Sequence, residues 1–232
     1  MSQTPLDPVK QQLLDAIIPH VAFDGWAPVA FTAAIADAGV DPAVARTICP
    51  RGAIDLAIAF HEQGDAAMVA ALDAADLTGM RFRDKVAHAI RLRIRAIPDK
   101  EAVRRGTALF ALPHMAADGA RLVWGTADAI WTALGDTSED ANWYTKRLTL
   151  SGVYAAVVLY WLGDDSTGAQ ATDAFIDRRI DGVMQFEKVK AQLRDNALLK
   201  PLTTPFARLM AGIKAPRRDI DPDLPGVWRD PT

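Results

Sequence analysis

The side chains that most often carry chemistry are scattered along this chain and form no recognisable catalytic or metal-binding motif. The histidines, His20, His61, His88 and His114, lie far apart in sequence, and none belongs to an H-E-x-x-H pair of the kind that holds zinc on a helix. The nearest approach to a ligand cluster is FHEQGD at residues 60–65. A metal would need further ligands that nothing identifies, so we interpret these residues as solvated or helix-capping groups.

Phosphate-binding and nucleophile motifs do not occur either. The sequence contains no G-x-S-x-G, no G-x-G-x-x-G and no phosphate-binding loop pattern. Cys49 is the single cysteine, so no C-x-x-C pair and no intrachain disulfide can form. The sequence therefore predicts a protein that is not an enzyme and that holds no metal or cofactor.

Composition describes a chain with enough apolar residues to build its own core. The 232 residues are 50% hydrophobic, and the net charge of −3 provides no overall positive field for nucleic acid. The segment MSQTPLDPVKQQ does not read as a secretory signal. The longest apolar run, residues 151–163, is shorter than the roughly 20 residues of a membrane-spanning helix. We therefore expect a cytoplasmic protein.

Almost every segment has helical periodicity, so the predicted fold class is all-α. Asp-Pro pairs at 7–8 and 41–42 indicate helix starts, and Pro19 is expected to kink or shorten the first helix. The predicted organisation is a helix-turn-helix-like part over residues 1–50, a helical body over 51–195, an amphipathic helix over 196–214 and a disordered tail over 215–232.

Three short helices before a larger helical body resemble the arrangement of TetR-type regulators. The position of the recognition helix is DPAVARTIC, which begins with Asp41 and contains Arg46 as its only basic residue. A recognition helix must offer hydrogen-bonding side chains to base edges and cations to phosphates. We expect a retained scaffold that binds no nucleic acid. A TetR-type transcriptional regulator that binds DNA and an apolar effector is the alternative.

Residues 139–163, EDANWYTKRLTLSGVYAAVVLYWLG, predict a helix that begins among charges and becomes apolar on every side. Such a helix must be covered all round, at the centre of its domain or by a second copy of the chain. Aromatic residues lie on the neighbouring helices. They could enclose an apolar pocket or simply fill a core.

Four segments of the chain resemble the Coq-nine family, the lipid-binding accessory proteins of ubiquinone biosynthesis. They are DANWYTKR at 140–147, ALPHM at 111–115, WGTADAIWTALGDTS at 124–138 and DGWAPVAFTAAIADAGV at 24–40. The resemblance implies a TetR-like homodimer that binds isoprenoid or other lipid in its helical body. It also implies a partner, the di-iron demethoxyubiquinone hydroxylase, and a bacterial protein lying peripherally on the inner membrane.

Pocket and partner residues follow from this resemblance together with the aromatic pattern. Hydroxylase contact is expected for Asp140, Asn142, Trp143, Tyr144 and Arg147. At least one of Trp143 and Tyr144 should face solvent, because adjacent helical side chains diverge by roughly 100°. The lipid-binding candidates are Leu109, Leu112, Met115, Trp124, Ile130, Trp131, Tyr154, Val158, Trp161 and Phe175.

Apolar residues at helical spacing recur near the C-terminus, interleaved with basic ones, in LLKPLTTPFARLMAGIK at 198–214. This pattern predicts either an interfacial helix on a membrane surface or a helix packed against its own domain. The candidate membrane-binding residues are Leu199, Leu202, Phe206, Leu209, Met210 and Ile213.

Overall fold

The computed structural model describes residues 6–195 and 214–215. Over these residues the chain is all-α, as predicted, with nine α-helices, one short 3-10 turn and no β-strand. None of the described helices combines the length and apolar character that a bilayer crossing requires. The helices are α1 (Pro8–Asp24), α2 (Pro28–Ala38), α3 (Pro42–Ile48), α4 (Ala53–Ala74), α5 (Phe82–Arg95), α6 (Lys100–Phe110), α7 (Ala116–Ala133), α8 (Ala141–Leu162) and α9 (Gln170–Asp195), with the 3-10 turn Thr167–Ala169 before α9.

Helix starts are fixed by short local signals. At Asp41 the carboxylate accepts a hydrogen bond of 2.7 Å from the backbone N–H of Ala43, and Pro42 occupies the first helical position. Pro19 does not shorten α1, which continues to Asp24, and the proline ring lies on an exposed face. The aspartates that cap helices in this way are Asp7, Asp41, Asp99 and Asp140.

Two hydrophobic cores share α4. The first core combines α1, α2 and α3 with the beginning of α4 and with Ala102 of α6. The second combines the later part of α4 with α5, α7, α8 and α9. Leu56 lies in the first core and Met68 in the second. The first core thus includes residues beyond position 50, where the sequence predicted a boundary.

One face of α8 is not covered by the other residues that the structure describes. The helix packs against α7 and α9 and buries Tyr154 and Val157. On another side, Leu148 is 67% exposed and Leu159 is 61% exposed. Within the described part of the chain, the neighbouring helices therefore enclose only part of the circumference of α8, and the expected complete cover is not found there.

Candidate functional site

An apolar cavity of about 690 Å³ lies between α4, α6, α7 and α8, where the two cores meet. Such a volume lies within the usual range for small-molecule sites, roughly 300–1,000 Å³. We call it the first cavity. Its larger apolar walls are Phe60, Val103, Phe110, Leu122 and Val158.

The space exists because several facing positions carry short side chains. Gly64 of α4, Gly106 of α6 and Ala155 of α8 all line the first cavity. Gly119 of α7 also lines it, and a Cβ at that position would lie only 2.9 Å from Cβ of Phe110. The small residues therefore let α6 and α7 approach closely while they leave room between α4 and α8.

A buried polar network forms one end of the first cavity. The Nε of Arg93 donates a hydrogen bond of 2.6 Å to Asp65, and Nη2 donates one of 2.9 Å to the carbonyl oxygen of His61. The hydroxyl of Thr126 lies 2.9 Å from both Asp65 Oδ1 and His61 Nε2. The interpretation of FHEQGD as solvated or capping residues is therefore wrong for His61 and Asp65. Both point inward because Arg93, distant in sequence, balances the carboxylate.

Burial sets the protonation of this network. Loss of solvent around His61 lowers the pKa of its imidazole to about 4, although the carboxylate of Asp65 opposes the shift. Burial likewise raises the pKa of Tyr154 to about 12. At neutral pH the network consists of one balanced ion pair, a neutral imidazole and a neutral phenol. This network can donate hydrogen bonds. Among the described residues, no group of three or more His, Cys, Asp or Glu side chains could hold a metal ion.

Only two of the predicted lipid-binding residues, Tyr154 and Val158, line the first cavity. The others do not line it; for example, Ile130 is buried in the second core, and Phe175 stacks on Tyr160 with ring centroids 4.2 Å apart. We correct the assignment accordingly. The residues that the structure places away from the first cavity are Leu109, Leu112, Met115, Trp124, Ile130, Trp131, Trp161 and Phe175.

Trp131 instead lines a second cavity of about 580 Å³ between the beginning of α5, the α7–α8 turn, α8 and α9. Its ring stacks on Phe82 with centroids 5.4 Å apart, and Lys146 Nζ lies 5.1 Å from the Trp131 centroid. The same ammonium is hydrogen-bonded to Asp136 at 2.9 Å. This cavity is smaller than the first, and both of its cations, Lys146 and Arg83, are already paired with aspartates.

Three aromatic rings meet where α7 faces the beginning of α8, and we call Trp124, Trp143 and Tyr144 the aromatic surface. Ring centroids lie 5.9 Å apart for Trp124 and Trp143 and 4.7 Å apart for Trp143 and Tyr144. Trp143 and Tyr144 are both half-buried, whereas Asp140 and Asn142 beside them are exposed. The predicted partner-binding residues thus include four that reach the surface.

The fifth, Arg147, is fully buried beneath the aromatic surface. Its guanidinium carbon lies 4.0 Å from the Trp143 ring centroid, and its nitrogens contact Asp128 at 2.5 Å and Asp136 at 3.0 Å. We correct its role from contacting a partner to supporting Trp143, because a side chain without exposed area cannot touch another protein directly.

Asp136 anchors this support from the α7–α8 turn. Burial by itself would raise the pKa of the Asp136 carboxyl, but hydrogen bonds from Lys146, Ser138 and Arg147 outweigh it and hold that pKa well below its usual range. The carboxylate therefore stays ionised and keeps two cations in place at the beginning of α8.

Lys214 and Ala215 form two contacts at or beside the aromatic surface. The N–H of Ala215 donates to the carbonyl of Glu139 at 2.9 Å, and the Tyr144 hydroxyl lies 3.4 Å from the carbonyl oxygen of Lys214. The predicted membrane-binding residues, Leu199, Leu202, Phe206, Leu209, Met210 and Ile213, lie outside the described residues.

Sequence reasoning missed the polar end of the first cavity. Gly64 offered a signal, since an isolated glycine inside a helical pattern usually has a packing reason. Arg93 offered another, because it occupies an apolar position in the periodicity of α5.

The COQ9 family model matches residues 116–187. These residues contain α7, α8, most of α9 and the aromatic surface. The chain carries a COQ9 domain. This agrees with the resemblance found in the sequence.

Curated COQ9 proteins match beyond that domain. The chain is 29% identical over 195 residues to the mitochondrial ubiquinone biosynthesis protein COQ9 of Drosophila melanogaster, covering 82% of this chain and 60% of that protein. It is 24% identical over 197 residues to the mitochondrial COQ9 of Homo sapiens, covering 80% and 61%. The chain thus spans about 60% of the length of these relatives.

Among solved structures, the crystal structure of a TetR transcriptional regulator from Nitrosomonas europaea has a TM-score of 0.63 at 18% identity. The match covers 75% of this chain and 97% of the regulator. At this identity the similarity establishes the TetR-like fold of the COQ9-domain chain and nothing about its ligand.

Proposed function

We propose that this COQ9-domain protein is a non-catalytic accessory protein of ubiquinone biosynthesis that binds an isoprenoid quinone precursor and presents it to the demethoxyubiquinone hydroxylase. The observation that carries the proposal is the apolar first cavity of about 690 Å³. Its relatives are named as ubiquinone biosynthesis proteins, which makes a prenylated ligand the natural occupant.

The energetics favour an apolar chain in this cavity. Each methylene group removed from water contributes roughly 0.8 kcal/mol, so a prenyl or acyl chain against Phe60, Val103 and Val158 would be held firmly. The ligand should therefore copurify with the protein.

Mass spectrometry of organic extracts from the purified protein tests lipid binding. Ala155→Trp should fill the first cavity and reduce bound lipid several-fold, because Ala155 lines its wall. Ala174→Trp on the exposed face of α9 is the matched control and should retain lipid. A lipid-free wild-type extract, or equal lipid in both variants, would contradict the proposal.

Hydroxylase binding is proposed for the aromatic surface together with Asp140 and Asn142. Exposed polar groups around partly accessible aromatic rings have the composition of an interface hot spot. Tyr144→Ala is the cleaner probe, since Trp143 also packs on the buried Arg147.

A pull-down with the hydroxylase should lose the complex for Tyr144→Ala while the melting temperature and lipid content stay nearly unchanged. Tyr160→Ala removes another partly exposed tyrosine of α8 and should still bind. Retained binding by Tyr144→Ala would remove this surface from the proposal.

A homodimer is proposed on the open face of α8. Leu148 and Leu159 are large, apolar and more than half exposed there, and a second copy could cover them. Leu148→Glu, at a position that does not line the first cavity, should shift the molar mass in light scattering to that of a monomer. Phe23→Glu, at an 85% exposed position of α1, should not. A monomeric wild-type protein would end this proposal.

Membrane association is proposed for the C-terminal segment that contains Leu199 and Phe206. Peripheral attachment to the inner membrane, where quinones reside, would bring the cavity to its ligand. Truncation after Arg194 should abolish cosedimentation with liposomes. Unchanged cosedimentation would assign membrane contact to another part of the chain or to none.

The TetR-like fold keeps a transcriptional regulator as the second candidate. Two features of α3 oppose it, since Asp41 is exposed at the end that would enter a DNA groove and Arg46 is the helix's only basic residue. A gel-shift assay with genomic DNA fragments at low salt should give no specific complex, and a specific complex would favour the regulator.

A further inference from the structure

The first cavity has one polar end, and that end is a built arrangement of buried side chains. Arg93 is 3% exposed and Asp65 is 7% exposed. Arg93, His61 and Tyr154 line the cavity, whereas Asp65 lies behind them and is not part of the wall. A ligand in the cavity would therefore meet the guanidinium before the carboxylate.

The guanidinium keeps one nitrogen available to the cavity. Its Nε and Nη2 donate to Asp65 and to the carbonyl of His61, while Nη1 makes no hydrogen bond with the described residues. Gly64 makes this placement possible, because a Cβ there would lie 2.5 Å from Nη1 and 2.7 Å from Cζ. Any larger residue at position 64 would push the guanidinium away.

Charge at this end is already balanced. The positive Arg93 is paired with the negative Asp65 at 2.6 Å, and His61 is neutral because burial lowers its pKa to about 4. An anionic head group would add a charge without a counterion in a region shielded from water, which is costly. A neutral oxygen that accepts a hydrogen bond would satisfy Nη1 without disturbing the pair.

We infer that the first cavity selects an amphiphile with a neutral, hydrogen-bond-accepting head, such as a quinone, ketone or ester oxygen, seated against Nη1 of Arg93, with its apolar chain along Phe60, Val103 and Val158. Carboxylates and phosphates of the same chain length are disfavoured. This inference rests on the proposed lipid-binding function and assigns the class of ligand head group that the site accepts.

The test compares three molecules that share one chain, namely methyl palmitate, palmitate and hexadecane. Each is titrated at neutral pH into the full chain, stripped of lipid, and displacement of a bound neutral pyrenyl hydrocarbon is measured. We expect the ester to bind about tenfold more tightly than the hydrocarbon, which corresponds to one charge-assisted hydrogen bond. The ester should also bind more tightly than the carboxylate.

Variants of the ion pair test whether Arg93 is responsible. The double variant Arg93→Met/Asp65→Leu removes both charges together, a change that buried pairs often tolerate, and Thr126 keeps its hydrogen bond to the carbonyl of Leu122. The ester should then lose its advantage, while hexadecane should bind as before. Gly64→Ala displaces the guanidinium without removing it and should reduce ester affinity alone.

The outcomes separate this inference from the proposed function. If none of the three molecules binds, lipid binding fails and this inference fails with it. If all three bind equally, or if palmitate binds at least as tightly as the ester, the lipid-binding function stands and the head-group assignment is overturned. An ester preference that survives in both variants would also overturn it. The wild-type comparison decides the matter even if the double variant does not fold.

Discussion

Replacement of Asp136 should show how much the support beneath the aromatic surface contributes to stability. The Asp136 side chain is 3% exposed and accepts hydrogen bonds from Lys146 at 2.9 Å, Arg147 at 3.0 Å and the Ser138 hydroxyl at 2.8 Å. Asp136→Asn keeps the shape but removes the charge, so the fully buried Arg147 is left with Asp128 as its acidic partner.

Removing one partner of a buried ion pair typically costs about 3–5 kcal/mol. We expect the lower end, about 3 kcal/mol, because Asp128 still neutralises Arg147 in part. For a chain of this length the melting temperature should fall by roughly 6–12 °C. Asp177→Asn is the control, since Asp177 is 51% exposed and its 2.6 Å contact with Arg91 lies on the surface, where such a pair contributes about 0–1 kcal/mol.

The pH dependence supplies an independent check. The folded state holds the pKa of Asp136 below its usual range, so this stabilisation is present above the unfolded pKa of about 3.9 and is lost as the pH falls toward the folded value. In urea titrations the difference in unfolding free energy between wild type and Asp136→Asn should stay constant from pH 7 to 5. It should narrow by about 1 kcal/mol between pH 4 and 3. A variant as stable as Asp177→Asn, or a gap that does not change at low pH, would refute the reasoning.

Three further predictions concern stability. Gly52→Ala should cost about 1–3 kcal/mol in urea unfolding, because Gly52 has φ +61° and an added Cβ would lie 3.2 Å from Phe31; an unchanged midpoint would contradict the strain. Trp26→Phe should cost about 1 kcal/mol, because it removes the hydrogen bond of 3.0 Å that the buried indole N–H donates to the carbonyl of Ala102; calorimetry would detect the loss. His61→Gln should weaken the pH dependence of stability between pH 6.5 and 4. The folded pKa of His61 is about 4, so the wild type loses up to roughly 3 kcal/mol of unfolding free energy as the pH falls and the unfolded state gains a proton. Equal slopes of unfolding free energy against pH for the two proteins would count against a buried neutral imidazole.

Features with local causes could be read from the sequence. The starts of α1 and α3 follow from Asp7 and Asp41, whose caps and prolines lie within a few residues of each other. The expectation that Pro19 could shorten α1 also failed for a local reason. Its ring lies in solvent in the second half of the helix, and the last turn of α1 remains intact.

The cavity depended on tertiary placement and was only partly predictable. The pocket residues were predicted from the positions of large aromatic side chains, whereas the empty space exists where small residues such as Gly64 and Gly106 line it. The inward direction of Asp65 depends on Arg93, which belongs to another helix and gives no pattern within FHEQGD. The depth of Arg147 was missed because Asp128 and Asp136, which neutralise it, lie on α7 and the following turn.

The sharing of α4 between two cores has a consequence for synthesis. Leu56 and Ala57 of α4 pack with α1 and α2, and Ala102 of α6 completes the same cluster. Because the chain emerges from the ribosome N-terminus first, the first three helices cannot finish their core until α6 has left the exit tunnel. Nascent chains arrested before that point should expose Trp26 and remain substrates for chaperones, and the N-terminal helices should become protected only when α6 arrives.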